Sequence, residues 1–159
     1  PCRLQASDTQ GTLTRRLVDL APKVMQQLHN LLIAGAIPKG EHQSGGSTYP
    51  PLRETDLWLD FNQTGESIRN HVRACTPYHP ARAHFLGQTI AVHEIGSAAR
   101  QLASSYVTGE LVVDNGLWLI CGDGAVPITV LEVPGEGVFS GERFAELFGV
   151  ESGESLSAE

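Results

Sequence analysis

The chain has 159 residues, 41% of them hydrophobic, with a net charge of −7 and three cysteines at 2, 75 and 121, enough for one ordinary domain or a small domain joined to part of another. No apolar run approaches the roughly 18 residues a membrane helix needs, residues 1–5 lack a signal-peptide profile, and three scattered cysteines are not a disulfide framework; a soluble protein of the reducing cytoplasm, with no membrane partner, is expected. Residues 1–53 carry +3 and residues 54–159 carry −10, with no lysine after Lys39, which argues against a surface that wraps a polyanion and leaves Arg69, Arg73 and Arg82 for any local cationic patch.

In chain order, Leu13, Leu17, Leu20, Val24, Leu28, Leu31 and Leu32 recur at spacings of three and four and form one helical stripe. Ser7, Asp8 and Thr9 offer capping oxygens before it, and Gly35 a stop. A proline inside a helix costs about 3 kcal/mol, so the pattern predicts two short helices meeting near Ala21, with Pro22 in the first turn of the second. Such a stripe needs a sheet to lie on, and residues 1–37 read as the helical end of a larger lobe. Residues 38–60 are a linker strap rich in Gly, Ser and Pro.

Thr64 then caps a predicted helix over 65–75, with Glu66 in its first turn and Ile68, Val72 and Cys75 on one face; Pro77 ends it. Beyond it the period becomes two. Residues 88–95 alternate, placing Ile90, Val92 and Glu94 opposite Thr89, Ala91 and His93. Residues 111–113 and 117–121 flank Asp114-Asn115-Gly116, a hairpin turn because Asn and Gly tolerate positive φ. Gly122-Asp123-Gly124 makes a second tight turn before an apolar strand over 127–133. Ser140 starts a closing helix carrying Phe144, Leu147 and Phe148, and residues 151–159 read as a disordered tail. The fold class is α+β, a small open β-barrel over 61–150 preceded by the amphipathic helical segment and the linker.

Several patterns invite chemistry. His71, Cys75 and His79 are spaced by four, but Cys75 also fits the apolar stripe and Pro77 breaks the helix before His79, so a buried thiol is preferred to a metal ligand. Cys121, in a β run before a turn, reads as a small buried side chain rather than a nucleophile. Gly122-Asp123-Gly124 and Gly135-Glu136-Gly137 do not join a strand to a helix with phosphate-loop spacing, and read as turns. Asn70 and Arg73 share a helix face off the apolar stripe. They are suited to holding a phosphate or carboxylate, or to tying the strap through a fork from Arg73 to Asp60, the preferred use. Tyr49 reads as an anchor of the strap.

Four segments together carry a resemblance: Ser47-Thr48-Tyr49-Pro50-Pro51-Leu52-Arg53, Leu59-Asp60-Phe61, Val72-Arg73-Ala74 and Pro77-Tyr78-His79-Pro80-Ala81-Arg82. Their order resembles the linker and C-terminal domain of the methionyl-tRNA formyltransferase family of 10-formyltetrahydrofolate-dependent formyltransferases. The family's Pro-Gly before Ala-Arg is His79-Pro80 here, and its strap lysine is Leu52, with Arg53 beside it. The resemblance implies an oligonucleotide-binding-like barrel and an acceptor-positioning role, with Asn70, Arg73 and Arg82 as candidate acceptor-facing residues and Tyr49 and Asp60 as structural anchors. It assigns no catalytic, cofactor-binding or metal residue to this chain, because the family's Asn, His and Asp set and its 10-formyltetrahydrofolate pocket lie in an upstream catalytic lobe. That lobe, or a second copy, is the implied protein partner. Initiator methionyl-tRNA or a small-molecule amine (an amino sugar or peptide) is the implied acceptor, and a non-catalytic interaction domain is the alternative.

Overall fold

The computed structural model describes residues 2–36, 39, 40, 42, 44–101 and 106–158. Three helices, α1 (Gln10–Ile33), α2 (Gly65–Cys75) and α3 (Gly141–Phe148), accompany seven strands, β1 (Ala81–Phe85), β2 (Gln88–Ile95), β3 (Leu111–Val113), β4 (Leu117–Cys121), β5 (Gly124–Val133), β6 (Gly137–Ser140) and β7 (Leu156–Ser157). A single 3₁₀ turn, Glu54–Leu57, precedes α2.

The strands form one antiparallel sheet in the order β3-β4-β5-β2-β1-β7, with β6 folded back on the far part of β5. Its inner face is apolar. Ala81, Ala83, Phe85, Ile90, Val92, Leu111, Leu117, Leu119, Val126, Ile128 and Leu131 all point into one core, joined by Leu59 and Phe61 from the segment before α2. The period-two reading of β2 holds for Ile90 and Val92, but a bulge between Val92 and Ile95 shifts the register, so Ile95 is buried in place of Glu94. Two helices add to the same core. Helix α2 contributes Ile68 and Val72, while α3 contributes Phe144, whose ring meets Phe85 edge-on at 5.3 Å and Phe148 at 4.8 Å.

The hairpin turns are where the sequence places them. Asn115 has φ of +47° between β3 and β4, and Gly122-Asp123 links β4 to β5. Gly122 serves close approach: a Cβ there would lie 2.3 Å from the Asn62 carbonyl oxygen. Asn62 and Gln63, just before α2, pack directly onto this turn, and the Asp123 carboxylate accepts a 2.7 Å hydrogen bond from the Gly65 amide at the start of α2.

Two expectations are corrected. The region around Pro22 is not a junction of two helices, because α1 runs unbroken for 24 residues with Pro22 inside it. The carbonyl of Val18, deprived of its i+4 donor, belongs to a residue that is 63% exposed, so water can satisfy it. Residues 151–159 are not wholly a disordered tail. Leu156 and Ser157 pair with Phe85 and His84 of β1, while the Leu111 amide donates to the Glu154 carbonyl at 2.7 Å and the Leu156 amide donates to the Gly109 carbonyl at 2.8 Å. Residues 152–157 therefore bridge the two edges of the sheet and nearly close the barrel, with Leu156 buried in the core. Polar composition misled here because a ladder strand needs only one inward apolar side chain.

Leu156→Ala should lower the unfolding free energy by about 2–5 kcal/mol, the usual range for a buried Leu truncated to Ala. Chemical denaturation of the 159-residue chain measures it. An unchanged midpoint would show that the segment contributes nothing to the barrel.

Candidate functional site

The candidate residues on α2 sit where α1 meets the barrel. Thr9 is the N-cap of α1, its hydroxyl oxygen accepting from the Thr12 amide at 3.2 Å while the Thr9 amide donates to the Thr12 hydroxyl at 3.0 Å. Asp8, one residue earlier, is the one buried charged side chain among the described residues, at 7% exposure. Its carboxylate accepts from the Gln5 amide at 2.7 Å and is paired with Arg16 in the second turn of the helix. The Gln5 amide is the main reason this carboxyl is held below the usual carboxylate range; burial opposes that shift, and Arg16 and the Thr12 hydroxyl add to it.

Arg73 reaches this capping structure from α2. Its Nη1 donates to the Asp8 carbonyl oxygen at 2.9 Å and its Nε donates to Asn70 Oδ1 at 2.9 Å. The Gly11 amide donates to the Thr76 carbonyl at 3.1 Å, and the absent Cβ of Gly11 would fall 2.6 Å from Pro77 Cδ. Leu4, Asp8, Thr9, Gln10, Leu13, Asn70, Arg73 and Ala74 enclose a cleft of about 250 Å³ beside these contacts.

Asn70 and Arg73 are thus brought together, but Arg73 does not fork onto Asp60. Asp60 instead organises its own turn, accepting from the Asn62 amide at 3.0 Å and from Gln63 Nε2 at 2.9 Å; the Gln63 bond is the chief cause of its lowered pKa. An aspartate with polar residues two and three positions ahead of it satisfies itself locally before it can reach across α2. Arg82 lies apart from the pair, on β1, with its guanidinium on Glu54 of the 3₁₀ turn. Tyr49 is 85% exposed, and Leu57 and Leu59, both buried, hold the end of the strap. Arg69 Nε donates to the Gly96 carbonyl at 2.9 Å. All three arginines of the expected patch are therefore engaged within the chain.

Among the described residues no group of three or more His, Cys, Asp or Glu side chains converges as a metal site. Cys75 and Cys121 are both buried, and burial pushes both thiols up, which opposes nucleophilic use. No described helix is long and apolar enough to cross a membrane. The residues missed in the sequence are Gly11, Thr76 and the backbone carbonyl of Asp8. The Thr-x-x-Thr cap was open to reading, whereas the bond from Arg73 to Asp8 spans 65 residues of sequence and involves a main-chain acceptor.

These contacts fix two outcomes. A double-mutant cycle should find Arg73→Ala and Asp60→Ala additive within about 0.5 kcal/mol, while Arg73→Ala and Asn70→Ala couple beyond that. Because the folded-state pKa of Asp8 is depressed, its stabilisation is present above the usual carboxylate range and is lost as pH falls through the folded value. Hydrogen exchange at the Gln5 amide should accelerate in acid, relative to the intrinsic rate, in the parent chain; Asp8→Asn should remove that dependence.

The family described as the formyl transferase C-terminal domain matches residues 51–149. Methionyl-tRNA formyltransferase from Xanthomonas axonopodis pv. citri (strain 306) is 33% identical over 132 residues, covering 80% of this chain and 42% of that protein. Its counterpart from Natranaerobius thermophilus is 25% identical over 155 residues, covering 94% of this chain and 50% of that protein. The chain spans half or less of the length of these relatives. Among solved structures, a variant of HypX from Aquifex aeolicus matches in fold with a TM-score of 0.53 at 21% identity, over 81% of this chain and 23% of that one. The barrel, its capping helices and the strap that leads to them make this chain a member of the formyl transferase C-terminal domain family.

Proposed function

We propose that this chain is the acceptor-positioning part of a 10-formyltetrahydrofolate-dependent formyltransferase, working joined to a catalytic lobe. The observation that carries the reading is α1. It spans 24 residues with none buried, and Leu17, Leu20, Val24, Leu28 and Leu31 on its stripe are 36–58% exposed. Burying a side chain of this kind is worth about 1.5–3 kcal/mol, so the stripe fits a helix that completes a neighbouring lobe. The relatives' names, and their greater length, support the same reading.

Formyl transfer needs a base to deprotonate the attacking amine and a donor for the tetrahedral oxyanion. In this reading both roles belong to the upstream lobe. The groove on α1, about 410 Å³, is lined by Cys2, Leu17, Leu20, Ala21, Val24 and Met25, an apolar lining that suits packing against a neighbouring lobe. The barrel's contribution is orientation, which can supply several kcal/mol of the barrier.

The acceptor in this reading is initiator methionyl-tRNA, as in the names of the relatives. A small-molecule amine is the second reading, favoured by the −10 charge of residues 54–159 and by the internal pairing of Arg69, Arg73 and Arg82.

The 159-residue chain alone should transfer no formyl group, and the same chain expressed with its upstream coding sequence should do so. Assaying both proteins with methionyl-tRNA and with amino-sugar acceptors separates the readings; no transfer by the longer protein to any acceptor would overturn the assignment. RNA binding by the chain alone should be weak and shallow in salt. Each neutralised phosphate steepens the slope of log affinity against log salt by about 0.7–0.9, and a slope matching about six or more contacts would contradict the engaged state of the three arginines.

A further inference from the structure

Helix α1 has no buried residue, and past Gly11 it makes no hydrogen bond to α2 or the barrel among the described residues, so its direction is set at one end. That end is held at three points. Arg73 Nη1 grips the Asp8 carbonyl, the Gly11 amide grips the Thr76 carbonyl, and the Cα of Gly11 lies against the Pro77 ring. Two hydrogen bonds define an axis, and the contact at Pro77 blocks rotation about it.

Each partner is itself pinned. The Thr76 hydroxyl donates to the Val72 carbonyl at 2.9 Å and lies 3.0 Å from the His93 carbonyl, tying the end of α2 to β2. Asn70 holds the Arg73 guanidinium in plane, and the Asp8 carbonyl is fixed to α1 because its carboxylate bonds the Gln5 amide, Thr12 and Arg16. A helix of this length extends about 36 Å, so a tilt of about 10° at the joint moves its far end by about 6 Å.

We propose that Arg73, Gly11 and Asp8 form a rigid joint that fixes the direction of α1 relative to the barrel, and that Arg73 is a positioning residue rather than a ligand for the acceptor. The kinetic consequence rests on the function proposed above; the mechanical one does not. Displacements of about 1 Å at a reacting centre cost up to about 100-fold in rate, so a loose joint would remove most of what the barrel contributes by orientation.

Spin labels at Gln27→Cys on α1 and Glu136→Cys in the β5–β6 turn, in a Cys2→Ser background, test the joint by pulsed electron resonance, since Cys75 and Cys121 are buried from the label. The parent should give one narrow distance distribution. Arg73→Ala and Gly11→Ala should each broaden or shift it by several ångströms, with Arg73→Lys intermediate and the cooperative unfolding transition of the barrel retained. Gly11→Ala leaves every charge in place, so it separates geometry from electrostatics. A broad parent distribution, or variants that match the parent, would overturn the joint.

In the longer protein, Arg73→Ala and Gly11→Ala should lower kcat/KM for the acceptor by about tenfold or more, with KM for the formyl donor unchanged. A broadened distribution with unchanged acceptor kcat/KM would overturn the positioning role. If the longer parent protein transfers no formyl group, the functional reading fails, and the distance distributions alone decide the joint.

Discussion

An antiparallel sheet with an apolar inner face has two edges of unpaired amide and carbonyl groups, and until both are matched its interior stays open to water. In this chain the match is made by one short polar segment. Residues 152–157 pair with β1 on one side and with residues 109–111 on the other, and Leu156 enters the space between them. Everything else depends on that closure. The enclosed core gives α2 and α3 their apolar seats, and α2, once seated, holds Arg73, Asn70 and Thr76 in the positions from which they reach α1.

The two halves of the molecule are held by different forces. The barrel is apolar within, with Leu59, Leu111, Leu119 and Leu131 fully buried. The attachment of α1 is polar: main-chain carbonyls, one guanidinium and a carboxylate that satisfies its own turn. Hydrogen bonds are directional where hydrophobic contacts are not, so a small polar attachment specifies an angle with little buried area. This division suits the positioning role proposed for the domain. It also explains why the −10 charge of the barrel half is compatible with membership of a family whose relatives are named for tRNA, since orientation does not require a continuous cationic face.

Local chemistry was legible wherever a residue type forces a backbone conformation or a period. Thr64 caps α2, Ser140 caps α3, the Asp114-Asn115-Gly116 and Gly122-Asp123 turns lie as read, and Ile90 and Val92 face inward. The four ordered segments from Ser47 to Arg82 were enough to indicate the family, because spacing and residue type together restrict the possibilities far more than composition does. What failed were the places where a local rule met a tertiary or solvent compensation. Pro22 is tolerated because the residue whose carbonyl it orphans, Val18, lies on the exposed surface of α1, where water can replace the lost donor. The polar tail is ordered because its backbone, not its side chains, finds partners.

The candidate pair shows the same boundary. From the sequence alone Asn70 and Arg73 share a helical face, a consequence of the 3.6-residue period, and the guanidinium needs acceptors. Which acceptors it takes was decided by the fold. Asp60, nearest along the chain, is consumed by Asn62 and Gln63, and the free acceptor that tertiary packing brings within reach is the carbonyl of Asp8, 65 residues away. The sequence by itself determined α2, α3, the strands over 88–95, 111–113 and 117–121, the hairpin turns, the family and the charge of each half, because these follow from local sterics and residue type. Only the tertiary structure decided the closure of the barrel and the joint that aims α1, because both rest on main-chain groups that every residue carries and no sequence pattern distinguishes.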